Sequence, residues 1–148
     1  MSVTTKRNLL LPILLLAATL CMAENSTRID GYTIHHNAIP TAMLAPDIAA
    51  SYGIVRSKYR GLLNVSVIRE VPGTTGQPVA ARVSAYAVNL IGKRHQINLR
   101  EIREGEAIYY IGDFPIVDGE NLDFTLEVTP EGLSQPTRAT LSQIFYID

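Results

Sequence analysis

The sequence predicts an all-β chain, folded as an immunoglobulin-like antiparallel two-sheet sandwich of about seven strands with one short helix. Three observations carry this. Residues 122–129 alternate strictly, with Leu122, Phe124, Leu126 and Val128 against Asp123, Thr125, Glu127 and Thr129, the period of a half-buried strand. Turn signals recur at short spacing, and one stretch alone asks for a helix, so the alternation of strands with long helices that marks an α/β fold is missing.

The remaining strands follow in order. Residues 32–39 read as the first. In 62–71, Leu63, Val65 and Val67 oppose Asn64 and Ser66; in 79–90, Val79, Ala81, Val83, Ala85 and Ala87 form a side small enough for a facing sheet to approach closely. Residues 95–103, 107–114 and 140–147 complete the set. Between them lie a loop at 72–78 rich in Pro and Gly, a hairpin signal at Gly92-Lys93, a turn at Asp118-Gly119, and a longer connection at 130–136 around Gly132. The helix is expected at 45–52, where Pro46 suits the first turn, Asp47 favours the positive end of the dipole and Gly53 closes the C-terminus. There is no Trp, so the Cys–Trp–Cys hallmark of antibody domains is absent and the likeness to them is architectural.

Before the first strand stands an export signal: basic Lys6 and Arg7, an apolar run from Leu9 to Leu20, and a small residue at Ala23 for the peptidase. The run is about a dozen residues, whereas a spanning helix needs about 20, so no stable membrane anchor is expected after cleavage. Cys21 would be the acylated residue of a lipoprotein signal, but Leu20 precedes it where Gly, Ala or Ser is wanted. The expected organisation is a signal peptide over 1–23 and one β-sandwich domain over 24–148. Removing the first 23 of 148 residues leaves 125 without cysteine, enough for a core that needs no disulfide. Without Lys6 and Arg7, the 13 basic residues fall to 11 against 14 acidic ones. No basic stripe exists to displace counterions from phosphates, so nucleic acid is not an expected partner.

Chemistry is sparse. His35 and His36 are adjacent, so on a strand they point to opposite faces; a metal site would need His95 or Met43 brought in by the fold, and no ligand spacing announces one. No cofactor-binding pattern, Gly-x-Ser-x-Gly elbow or phosphate-cradling loop is present. Glu101, Glu104 and Glu106 alternate with Arg100 and Arg103 as a solvated strand end would. The stretch 35–58 is the part least explained by packing, gathering His35, Asn37, Arg56, Ser57 and Lys58 around the short helix. A crossover at a sandwich end is a natural place for a binding surface, because loops on a rigid scaffold carry function.

Several ordered segments bear a family likeness: Tyr32-Thr33-Ile34-His35-His36-Asn37-Ala38, Leu44-Ala45-Pro46-Asp47-Ile48-Ala49, Tyr52-Gly53-Ile54-Val55-Arg56-Ser57-Lys58, Asn64-Val65-Ser66-Val67, then Asp123-Phe124-Thr125 and Phe145-Tyr146. Together they resemble the domain of unknown function 4426 family, exported proteins of Gram-negative bacteria, across nearly the whole chain after the signal. The resemblance implies a periplasmic domain and supplies no activity. The expected function is therefore a periplasmic, non-enzymatic binding or accessory module for an envelope protein or component, with His35, Asn37, Arg56, Ser57 and Lys58 as its binding residues. The alternative is a metal-binding or hydrolytic site built from His35, Asn37, Arg56 and Ser57.

Overall fold

The computed structural model of the chain describes residues 25–148. The leader expected at 1–23, its cleavage after Ala23, and Cys21 lie outside the described residues. The first element, β1 (Asn25–Ile29), turns into β2 (Tyr32–Pro40) through Asp30-Gly31. Both turn residues have positive φ, 43° and 80°, as in the type I′ turns whose twist matches that of paired strands. β3 (Arg60–Arg69) then pairs along all of β2, from Tyr32↔Arg69 to Pro40↔Gly61.

The later strands are β4 (Gln77–Pro78), β5 (Ala81–Asn89), β6 (Arg94–Ile97), β7 (Arg100–Glu104), β8 (Ala107–Pro115), β9 (Glu120–Pro130) and β10 (Thr137–Phe145). One sheet runs β1-β2-β3-β8-β7 with β4 also on β3, and the other runs β10-β9-β5-β6. Every pairing is antiparallel. The protein is an all-β two-sheet sandwich, and α1 (Pro46–Ser51) is the one α-helix among the described residues.

All seven expected strands are present, and two findings refine them. Residues 95–103 divide: β6 pairs with β5 in one sheet, while β7 pairs with β8 in the other. The chain changes sheets at Asn98 and Leu99, directly over Gly112, where a Cβ would stand 2.6 Å from the Asn98 carbonyl oxygen and 2.7 Å from Ile97 Cγ2. Only glycine permits that approach. In addition, β1 and β4 were not expected, the first being mostly polar and the second two residues long with a proline that cannot donate to a ladder.

The inward faces meet in a core that includes Ile34, Leu63, Val65, Leu122, Leu126 and Val128. At one end of it Phe114 of the first sheet meets Phe124 and Phe145 of the second, edge to face, with centroids 5.0 and 5.5 Å away. Phe114 lies flat over its cross-strand partner Gly61, whose added Cβ would sit 2.3 Å from Phe114 Cζ. Gly61→Ala is therefore expected to lower unfolding free energy in urea by about 1–3 kcal/mol, and combining it with Phe114→Leu should cost less than the two single changes added.

His36 belongs to this interior. It faces the core side of β2, 2% exposed, with Nε2 3.2 Å from Thr27 Oγ1 on β1. Burial, with a smaller contribution from neighbouring His35, holds its imidazole below the ordinary value of 6.5. An imidazole depressed in the folded state stabilises fully above its unfolded value, and that stability is lost as pH falls through the unfolded and then the folded value. Melting temperature should thus drop between about pH 7 and about pH 5. His36→Leu should flatten that part of the curve; an unchanged slope would remove His36 as its source.

Candidate functional site

Pro40 ends β2, and the chain returns to β3 by a crossover of residues 41–59. It begins with a 3₁₀ turn, Thr41–Met43, and continues into α1. Pro46 opens α1 at a position where no intrahelical donor is needed. Gly53, at φ 65°, closes the helix: its N–H reaches the Ala50 carbonyl at 3.2 Å and that of Ile54 reaches Ala49 at 2.8 Å, a Schellman ending. The two ends of the crossover are stapled by the buried Thr41, whose hydroxyl accepts from the Ser57 N–H at 2.9 Å and donates to the Ser57 carbonyl at 3.0 Å. Arg56 Nη2 adds a bond to the Ala42 carbonyl at 3.0 Å.

Underneath lies the outer face of the first sheet. Strand parity sends Asn37 and Ile39 of β2, Leu62 and Asn64 of β3, Tyr109 and Ile111 of β8, and Ile102 of β7 to this face. Leu62 and Ile111 are nonetheless buried, because the crossover roofs them with Leu44 and Tyr52. The roof leaves a hollow of about 240 Å³, lined by these side chains together with Asn37, Asn64 and Tyr109. Asn37 and Asn64 stand directly opposite one another, and Asn64 Oδ1 is buried without a hydrogen-bond partner. A buried carbonyl left unpaired is costly, and Asn64 is the lining residue that carries that cost. At the rim, the Tyr52 hydroxyl donates to Glu104 Oε2 on β7, and that bond, with smaller contributions from burial and nearby charge, holds the phenol above its ordinary value.

The five residues singled out in the sequence divide among several places. His35 and Asn37 share the outer face of β2 but line different hollows. That of His35 is a shallower, more polar one of about 570 Å³ bounded by Arg28, Thr33, Glu70 and residues 71–76, in which Glu70 accepts from Thr33 at 2.9 Å and meets Arg28 at 3.6 Å. Arg56 and Ser57 close the crossover onto its own backbone, and Ser57 Oγ also accepts from the Tyr59 N–H at 3.1 Å. Lys58 Nζ lies 5.3 Å from the centre of the Tyr59 ring. His35 and His36 take opposite faces, His95 belongs to the other sheet, and no group of three or more His, Cys, Asp or Glu among the described residues is placed to hold a metal ion. Sequence reasoning missed Tyr52, Asn64, Ile102 and Tyr109 as site residues. For Asn64 a signal existed, an amide in a strand whose other residues between its terminal arginines are apolar or hydroxyl-bearing; the others come together only through pairing of distant strands.

A family profile for DUF4426, a domain of unknown function, matches residues 26–148. The chain belongs to the DUF4426 family. The crystal structure of a family protein from Pseudomonas aeruginosa PAO1 superposes with a TM-score of 0.72 at 31% identity, covering 84% of this chain and 96% of that one. The fold extends beyond the family. FetP of uropathogenic Escherichia coli strain F11, produced in the periplasm, matches at TM-score 0.59 and 10% identity, over 83% of this chain and 93% of its own. A copper-bound variant of Campylobacter jejuni P19 matches at 0.55 and 12%, over 82% and 94%. At such identities the likeness is one of fold. No curated protein matches the chain.

The Thr41 staple sets the roof of the hollow. Thr41→Val should leave the Ser57 N–H unpaired and the Ser57 carbonyl with the Arg60 N–H at 3.3 Å as its partner, cost about 1–3 kcal/mol, and speed amide hydrogen exchange at Ser57 well ahead of exchange in β3. Equal protection in the two proteins would show that the staple does not hold the crossover.

Proposed function

We propose that the protein is a periplasmic, non-enzymatic binding or accessory module for an envelope protein, and that the partner seats an apolar side chain and an adjoining N–H donor in the hollow beneath the crossover. The observation that carries this reading is the buried, unpartnered Asn64 Oδ1 in a hollow whose other walls are largely apolar. A few placed polar groups in an apolar concavity are the usual composition of a binding site. Support for the location comes from the export signal at 1–23 and from the fold shared with FetP, itself produced in the periplasm. A non-catalytic role is supported by the Arg56 guanidinium and the Ser57 hydroxyl, two members of the hydrolytic alternative, being engaged with backbone at Ala42 and Tyr59.

A photo-crosslinking side chain placed at Asn37, at the hollow, and at Ser142, on the second sheet, tests this in living cells. Adducts of one discrete mass are expected from Asn37, identified by mass spectrometry as an envelope protein, absent from Ser142 and lost when Asn64→Leu fills the hollow and removes the acceptor. Equal labelling from both positions, or none above background from Asn37, would overturn the assignment.

A further inference from the structure

The two ends of the sandwich differ in chemistry. Of the large hydrophobic side chains that stay exposed among the described residues, Val71 alone belongs to the end formed by Asp30-Gly31, residues 70–76, Gly105 and residues 131–136. The opposite end carries Leu90 and Ile91, 81% and 88% exposed, together with Met43, Tyr59, Val117 and Tyr146. Register and hydrogen bonds place these six at one end. Leu90 and Ile91 form the tip of the β5–β6 hairpin just beyond Asn89, which pairs with Leu122 and donates its side-chain amide to Glu120 at 3.1 Å. Glu120 pairs with Phe145, and Gly119 N–H reaches the Phe145 carbonyl at 2.8 Å, so Val117 and Tyr146 lie at that same end. The Ile116 N–H bonds the Tyr59 carbonyl at 2.9 Å, and Met43 follows Pro40, the partner of Gly61.

We infer that this end is a membrane-contact surface that rests reversibly on a phospholipid bilayer, with the Leu90-Ile91 tip inserted between headgroups. Two observations favour lipid over a protein occupant. The tip protrudes, as two neighbouring aliphatic side chains beyond the last strand pair, and offers a wedge where a protein partner would need a groove. Basic and aromatic groups flank it in the manner of interfacial anchors: Lys93 and Arg94 follow the tip, Arg94 stacked 3.6 Å from the Tyr86 ring, and Lys58 adjoins Tyr59. Of the acidic groups near this end, Asp113 is paired with Arg60, while Asp118 and Glu120 accept from the Ile147 N–H and the Asn89 amide.

Protein purified after export, mixed with vesicles of phosphatidylethanolamine and phosphatidylglycerol, provides the test. The chain has no Trp, so Ile91→Trp and Val71→Trp each report from one end. A blue shift and quenching by brominated lipid are expected for Ile91→Trp and not for Val71→Trp. Leu90→Ser combined with Ile91→Ser should weaken vesicle partition about tenfold or more, with unchanged circular dichroism and melting temperature because both side chains are exposed. Protein that stays in the supernatant with unshifted emission would overturn the inference. So would a dimer in sedimentation without lipid that the double substitution dissociates, since the end would then serve a second copy of the chain.

Discussion

The sandwich depends on one contact, the closure of its two sheets where Phe114 meets Phe124 and Phe145 over Gly61. Cys21, the chain's single cysteine, lies outside the described residues, so within them cohesion comes from burial and strand ladders. The magnitudes rank the contributions. Each buried aromatic contributes about 1.5–3 kcal/mol and each well-placed ring pair about 0.5–1.5 more, whereas the exposed pairs Arg60–Asp113 and Arg138–Glu127 contribute about 1 kcal/mol at most. Because Gly61 is the second residue of β3 and Tyr59 is tied to Ile116, two residues beyond Phe114, the same contact fixes where the crossover ends. The roof over the outer face is therefore positioned by the core beneath the opposite face.

A second constraint, the passage of the chain over Gly112, completes that face. If residues 95–103 formed the single strand that their pattern predicts, they would stay beside β5 in one sheet. The change of sheet at Asn98 and Leu99 puts β7 beside β8 instead, and so delivers Ile102 to the hollow and Glu104 to Tyr52. Neither a Gly nor a Pro marks the change within 95–103; the glycine it requires stands on the strand being crossed.

These two sites explain what could be read from the sequence. Alternation gives the parity of a strand, and parity was enough to separate His35 from His36. It is silent on what covers a face. Leu62 and Ile111 lie on the outer face by pairing, and only the crossover buries them in a hollow. Capping chemistry made α1 legible almost to the residue, because Pro46 and Gly53 act locally. β1 was missed although Asp30-Gly31 is a strong hairpin signal, since Asn25-Ser26-Thr27-Arg28 lacks the apolar alternation that flags a strand. Arg56 and Ser57 looked unexplained by packing because their partners, Ala42 and Thr41, stand 14 and 16 residues earlier in the chain.

The hollow and the apolar end occupy different surfaces, and the crossover contributes to both: Leu44 and Tyr52 roof the flank while Met43 and Tyr59 belong to the end. A sandwich resting on that end would hold its strands steeply inclined to the bilayer and turn the outer face of the first sheet sideways, along the membrane plane. That orientation restricts a partner to positions beside the protein at the membrane surface, which suits an envelope protein better than a freely diffusing ligand. It also gives the Thr41–Ser57 staple a role in both surfaces, since a crossover that loosened would lose the roof of one and the register of the other together. The two surfaces are separable by mutation but share one mechanical support, built from a threonine hydroxyl and the backbone N–H and carbonyl of one residue.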